Sequence, residues 1–166
     1  MKNFEESESS RDYLKFIGSS TKFKIITTKF EGYAKEFTVT YDKKGANISN
    51  VVISITANQL DTDSSSRNEK MFSKCLEIDK YPNITGKLDK TILIGNNASG
   101  EAEISLTIKD KVLVRNLKYN FLEKDGKFQI HFTTDFSFIE AGIADPSIVI
   151  AKVAEIFQIE GNITLE

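Results

Sequence analysis

The side chains that carry chemistry in proteins are thinly spread along this sequence. It holds one histidine, His131, and one cysteine, Cys75. A single imidazole leaves both a hydrolytic triad and a histidine-ligated metal site short of their usual parts. Alternation around His131 places it on the polar, solvent face of a strand. Ser137 and Ser147 stand in no strand–turn–helix context of the kind that exposes a nucleophile. Asp61 and Asp63 flank Thr62 in a loop, where short acids and hydroxyls cap local structure far more often than they exchange protons. Cys75 falls on the apolar face of a short helix and reads as a small buried hydrophobe. These types and spacings argue against an enzyme. The concentrated signal is apolar instead. Phe128, Ile130, Phe132, Phe136 and Phe138 recur on one face of a single run, joined by Phe23 and Phe157 elsewhere. Such a face is either plain core or the lining of an apolar tunnel, and pattern alone does not choose between them.

The elements that must position these residues are mostly strands. At 166 residues the chain fits one domain with a sizeable core or a core around a cavity. A net charge of −2 leaves no basic footprint for nucleic acid. No apolar run reaches the length of a membrane helix, and the opening MKNFEESESSR is too polar for a signal peptide. Residues 1–12 are expected to be a flexible N-terminal segment ahead of a single domain over 13–166. Period-two runs follow through Thr21, Phe23, Ile25 and Thr27, then Phe37, Val39 and Tyr41, then Val51, Ile53 and Ile55. Later runs carry Ile104, Leu106 and Ile108; Leu117, Tyr119 and Phe121; the Phe-rich run; and Phe157, Ile159, Ile163 and Leu165. Asp125-Gly126 marks a hairpin between two of them, and Asp145-Pro146-Ser147 fits the start of one helical turn.

The stretch from Leu60 to Lys87 breaks the pattern once. Ser66-Arg67-Asn68-Glu69 fits a capping box, and Met71, Phe72, Cys75 and Leu76 share one helical face behind it. Pro82 cannot continue a helix and holds Tyr81 extended. About eight antiparallel strands and one greasy helix predict an all-β, eight-stranded antiparallel sheet closed into a barrel, with a short helix over one end.

The chain resembles the YceI-like polyisoprenoid-binding family, whose members are extended lipocalin-like antiparallel barrels. The likeness runs from Tyr13 to Leu165. It rests on Thr62, Arg67-Asn68, Met71-Phe72 and Tyr81-Pro82 in the central stretch, on Leu106-Thr107-Ile108, and on Gly142-Ile143, Pro146-Ser147 and Lys152-Val153-Ala154. The chain departs from the family at Gly18-Ser19 and Thr27, where many members carry His-Ser and a second His. It departs again at Asn68, where Asp is usual after the Arg, and at Asp110, Gly86 and Phe138.

The resemblance implies non-enzymatic binding or transport of a long apolar ligand, a polyisoprenoid or similar lipid, inside the barrel. Phe23, Ile25, Phe37, Val39, Ile53, Ile55, Phe128, Ile130, Phe132, Phe136 and Phe157 would surround the tail, with Met71 and Phe72 closing one end. Thr62, Arg67 and Asn68 would stand at the mouth, with Arg67 the partner for a phosphate or acidic head group. No metal, cofactor or nucleic acid enters this reading, and a homodimer is the association it allows. The protein would be periplasmic if a leader has been removed and cytoplasmic otherwise. The rival expectation is a packed barrel that acts in protein interactions or the stress response without a lipid.

Overall fold

The alternating runs form strands, except where one run crosses a turn, and the strands join edge to edge into one antiparallel sheet. The computed structural model describes residues 2–166. In chain order the strands are β1 (Tyr13–Lys22), β2 (Ile26–Ala34), β3 (Thr38–Lys44), β4 (Asn47–Thr56), β5 (Leu60–Asp61) and β6 (Asn83–Leu88). They continue with β7 (Ile92–Leu93), β8 (Ser99–Ile108), β9 (Lys111–Lys124), β10 (Lys127–Ser137), β11 (Ala151–Val153) and β12 (Ile156–Leu165). The main path runs β3-β4-β6-β8-β9-β10-β12-β1-β2-β5, with β11 beside β1 and β7 beside β4. The fold is all-β, as the patterning predicts, and lipocalin-like, as the resemblance implies, with more and shorter strand segments than eight.

Two expectations about the barrel need correction. The sheet curls without closing, because β3 ends one side of the path, β5 ends the other, and they do not pair. β5 gives β2 only two partners, Leu60 and Asp61, before the chain turns into a helix, too short a ladder to complete the ring. Phe23 and Ile25 lie in no strand. Phe23-Lys24-Ile25 is the turn between β1 and β2, with Phe23 and Lys24 at φ 51° and 61°. It contains neither Gly nor Asn, so nothing in the sequence signals a turn there. The Asp125-Gly126 hairpin forms as expected, at φ 54° and 74°.

The N-terminal segment holds more structure than its polarity suggests. α1 (Phe4–Glu8) is capped reciprocally by Asn3 and Glu6, and Phe4 meets Tyr33 edge to face, ring centroids 5.2 Å apart, on the outside of the sheet. Asp145-Pro146-Ser147 starts no helix. Asp145 instead accepts the Ser147 N–H at 2.9 Å in a tight local turn.

The interior is set by aromatic rings that lie against glycines. Phe16 faces Gly32, Phe30 faces Gly18, and Phe132 faces Gly161 across neighbouring strands. A Cβ on Gly32 or Gly161 would lie 2.3 Å from the facing ring, so each ring occupies the space a side chain would take. At the end of the sheet where β1 starts, Ile48, Ile92, Phe121, Ile130 and Leu165 are buried and fill the space between the walls. Toward the other end the filling stops.

On the outer face, Glu160 accepts from the Tyr13 hydroxyl at 2.6 Å and lies 3.3 Å from His131 Nε2. Burial alone would raise the Glu160 carboxyl, but the hydrogen bonds from Tyr13 and His131 prevail and hold it below its ordinary value of 4.5. His131 is therefore half-buried against a carboxylate.

Two outcomes test this account. Gly161→Ala should lower stability by about 1–3 kcal/mol by pushing the Phe132 ring off its seat. Adding Phe132→Ala should remove that extra cost in a denaturant double-mutant cycle, and strictly additive losses would show that ring and glycine do not meet. A depressed carboxyl contributes stability above its unfolded pKa and loses it as pH falls through the folded one. Glu160→Gln should therefore lose about 1 kcal/mol at neutral pH and show a shallower fall in Tm than wild type below about pH 4.5.

Candidate functional site

Between the aromatic-lined strands and the central helix lies a cavity of about 580 Å³. Volumes of about 300–1,000 Å³ are usual for small-molecule sites, so this space is large enough to be one. Its walls are apolar and come from nearly every strand. Leu14 and Phe16 on β1, Phe30 on β2, Ile53 and Ile55 on β4, and Ile84 on β6 face in. Ile104, Leu106 and Ile108 on β8, Phe132 and Phe136 on β10, and Phe157 and Ile159 on β12 complete the ring. Strand alternation explains the list, because each set is spaced by two and points to the concave side.

The cover is built by the Leu60–Lys87 stretch. α2 (Ser65–Lys70) is capped by Ser64, whose hydroxyl accepts the Arg67 N–H at 3.4 Å. The cap falls two residues before the Ser66 that the capping-box pattern favours. Over Met71–Cys75 the helix widens into a π turn, closed by Leu76 N–H donating to Met71 C=O at 2.8 Å. The wider turn sets Leu76 under Met71, so that Met71, Cys75 and Leu76 all face the cavity. Such turns often accompany functional sites because they re-aim side chains within a helix.

Thr62 and Asn68 hold this cover to the sheet. Asn68 Oδ1 accepts from both the Thr62 N–H, at 2.9 Å, and its hydroxyl, at 2.7 Å. The Asn68 amide then donates to Asp61 Oδ1 at 2.9 Å. An aspartate at position 68 would set two carboxylates against each other, so asparagine is the residue that fits beside Asp61. Asn68 thus acts as a clasp and does not line the cavity.

The polar groups at the mouth come from the same helix. Ser64, Ser66, Arg67 and Lys70 lie along the rim, opposite Pro146, Ile148 and Ala151. Arg67 donates to Thr62 C=O at 3.2 Å and stacks 5.2 Å above the Phe30 ring. Lys70 donates to Pro146 C=O at 2.5 Å and ties the helix to the opposite rim. Cys75 sits deeper, where burial pushes its thiol pKa up against the opposing pull of Lys70 and Lys109.

Of the residues expected from sequence, Ile53, Ile55, Thr62, Arg67, Met71, Phe132, Phe136 and Phe157 line the cavity. Phe37, Val39, Phe72 and Phe128 pack half-buried against the core, and Ile130 is buried in the filled end. Phe23 and Ile25 are corrected outright, being 65% and 83% exposed on their turn. The expected lining left out Phe16, Phe30, Leu106 and Ile159, and it named Phe138 and Leu76 only as parts of the Phe-rich face and of the apolar helix face. For Leu106 and Ile159 the period-two spacing of β8 and β12 was visible. For Phe16 and Phe30 the unsignalled turn between β1 and β2 concealed the pairing.

The lining is apolar, and the hydroxyls singled out in the sequence are each engaged in a hydrogen bond. Ser137 donates to Glu155 at 2.6 Å, Ser147 Oγ accepts the Val153 N–H at 2.9 Å, and Thr134 donates to Asn116 C=O at 2.8 Å. No group of three metal-ligating side chains occurs among the described residues. No helix among them is long and apolar enough to cross a membrane.

Known proteins share this architecture. BcnA of Burkholderia cenocepacia superposes with a TM-score of 0.75 at 15% identity, over 94% of this chain and 97% of its own. A polyisoprenoid-binding domain from Saccharophagus degradans, implicated in plant cell wall breakdown, gives 0.62 at 11% identity, over 92% of each chain. The YceI protein of Campylobacter jejuni gives 0.55 at 20% identity, over 81% of this chain and 84% of its own. At these identities the likeness speaks for the fold. No curated protein sequence matches the chain. Residues 8–165 match the YceI-like domain, and the chain belongs to the YceI-like family.

Proposed function

We propose that this protein binds a long apolar molecule, an isoprenoid chain or a comparable lipid, and holds it without altering it. The observation that carries the reading is the 580 Å³ apolar cavity with Arg67, Lys70 and two serine hydroxyls gathered at its rim. The polyisoprenoid-binding domain among its structural relatives supports the choice of ligand class. The tail would lie against Ile55, Leu106, Phe136 and Phe157, and an acidic or phosphorylated head would meet Arg67 and Lys70. Each methylene transferred from water contributes about 0.8 kcal/mol. A tail of several isoprene units would by that measure exceed the affinity ceiling of about 18–21 kcal/mol, so ordering of the tail and fit to the walls set the real affinity. Discrimination would follow tail length and shape. The helical cover, tied to the far rim by Lys70, is the element that opens to admit the tail.

Native mass spectrometry of protein purified from cells should show a non-covalent mass of lipid size that organic extraction removes. Ile55→Trp should abolish that mass. Because the new ring enters empty space, stability should fall by less than the roughly 1–3 kcal/mol of an overpacked core. A full loss of that size, with no lipid on the wild type, would favour the packed-barrel alternative.

Cys75 supplies a second readout, since it is the only cysteine in the chain and lines the cavity. Its raised pKa keeps the thiol protonated at neutral pH, so N-ethylmaleimide should react more slowly than with a free thiol. A saturating C15–C20 prenyl alcohol should slow that reaction about tenfold further. An unchanged rate with the alcohol demonstrably bound would place the tail away from the helix.

A further inference from the structure

The exposed turn between β1 and β2 has a neighbour. Ile148 and Ala151 exchange backbone hydrogen bonds at 2.9 and 3.1 Å, which makes Val149-Ile150 the tip of a second tight turn. The two turns are joined: the Phe23 N–H donates to Ile150 C=O at 2.9 Å, and Lys22 pairs with Ala151. Side by side they present Phe23, Ile25, Ile26, Ile148, Val149 and Ile150, every one at least half exposed and Val149 wholly so, at 105%. Six large apolar side chains on two adjoining tips are not the scattered exposure that a water-soluble surface tolerates. The patch also adjoins the cavity, since Ile148 belongs to both.

The charges closest to the tips are lysines. Residues 18–30 and 146–154 contain Lys22, Lys24, Lys29 and Lys152 and no acid, in a chain whose net charge is −2. All four lysines are exposed. Asp145, at the foot of the second tip, accepts the Ser147 N–H, and its hydrogen bonds with Ser147 lower its pKa and keep it charged near Lys152 and Lys70. Glu31 and Glu155 stand just beyond the two segments, farther from the tips. Apolar tips collared by lysine match the two layers of an anionic bilayer surface, with acyl chains taking the tips and head groups meeting the collar.

We propose that the paired tips are a membrane-docking surface, which inserts its apolar side chains into an anionic bilayer and holds the cavity mouth against it. A second copy of the chain would bring like-charged collars together, whereas a lipid surface neutralises them. Docking needs only this surface, so it stands or falls separately from the occupant of the cavity.

The test is flotation of the full chain with vesicles of phosphatidylcholine alone or mixed with phosphatidylglycerol. The protein should float with the mixed vesicles and bind neutral ones about tenfold more weakly, with added salt narrowing the gap. The combined variant F23S/I25S/V149S/I150S alters only exposed positions. It should keep its Tm and its cavity lipid by native mass spectrometry while losing at least about tenfold in vesicle binding. The chain has no tryptophan, so single reporters read cleanly. Val149→Trp should shift to the blue on vesicles and be quenched by brominated lipid. Leu122→Trp, exposed at the opposite end of the sheet, should do neither. Absence of flotation by the wild type, or equal flotation by the serine variant, overturns the proposal whatever the cavity holds. So does a wild-type dimer that the serine changes dissolve without any vesicle binding, because the patch would then belong to a second copy.

Discussion

Phe157 stacks on Phe136 with ring centroids 5.5 Å apart at 18°, and Phe16, Phe30 and Phe138 meet it at 6.0, 5.9 and 6.3 Å. Five rings from β1, β2, β10, β12 and the segment after β10 thereby form one layer on the concave side of the sheet. The layer exists only because the sheet gives it room: Gly18 sits where a Cβ would come within 2.5 Å of both Phe157 and Phe30. Aromatic contacts of this kind add about 0.5–1.5 kcal/mol each beyond the area they bury. Their larger effect is geometric. Rings held against the backbone thicken the wall and leave the centre of the curl free, and that free centre is what the rest of the structure serves.

A cavity of this volume is inconsistent with a flaw in an otherwise filled core. The voids left by single core truncations are sealed and far smaller, whereas this space opens at its rim and is walled by nearly every strand. The fold must instead draw its stability from the wall and from the filled end. The wall has long ladders, with fourteen residues in β9 and ten in each of β8 and β12. The filled end has Phe121 and Ile48 at almost zero exposure. Stability and cavity are thus divided between opposite ends of one sheet. Side chains near the mouth are correspondingly freer to suit a ligand than those around Phe121.

That division explains which parts of the site were legible in the sequence. Period-two alternation puts Ile53, Ile55, Phe132, Phe136 and Phe157 on one face of β4, β10 and β12, and the family resemblance made that face the lining of a cavity. Alternation carries no information about depth along the strand. Phe128 and Ile130 have the same spacing as Phe132 and Phe136, but they pair with Leu165 and Ile163 near the filled end. Phe23 and Ile25 failed for a different reason. An uninterrupted β-like pattern ran across a turn whose left-handed residues are Phe and Lys, and no local rule anticipates that choice. The fold class was readable because it depends on the sum of many runs. The lining depends on register, which only the paired strands reveal.

The same turn supplies the last step. Left-handed backbone at Phe23 and Lys24 is unfavourable for side chains of that size, and glycine or asparagine would form the turn with less strain. Folding alone therefore gives no reason for a phenylalanine there, and none for Val149 to stand entirely in water. Both lie at the mouth end of the sheet, on turns bonded to each other, while the opposite hairpin uses Asp125-Gly126 in the ordinary way. One end of this protein follows the rules for a stable turn and the other departs from them beside the cavity opening. Membrane docking, as proposed, gives that difference a reason that folding does not supply.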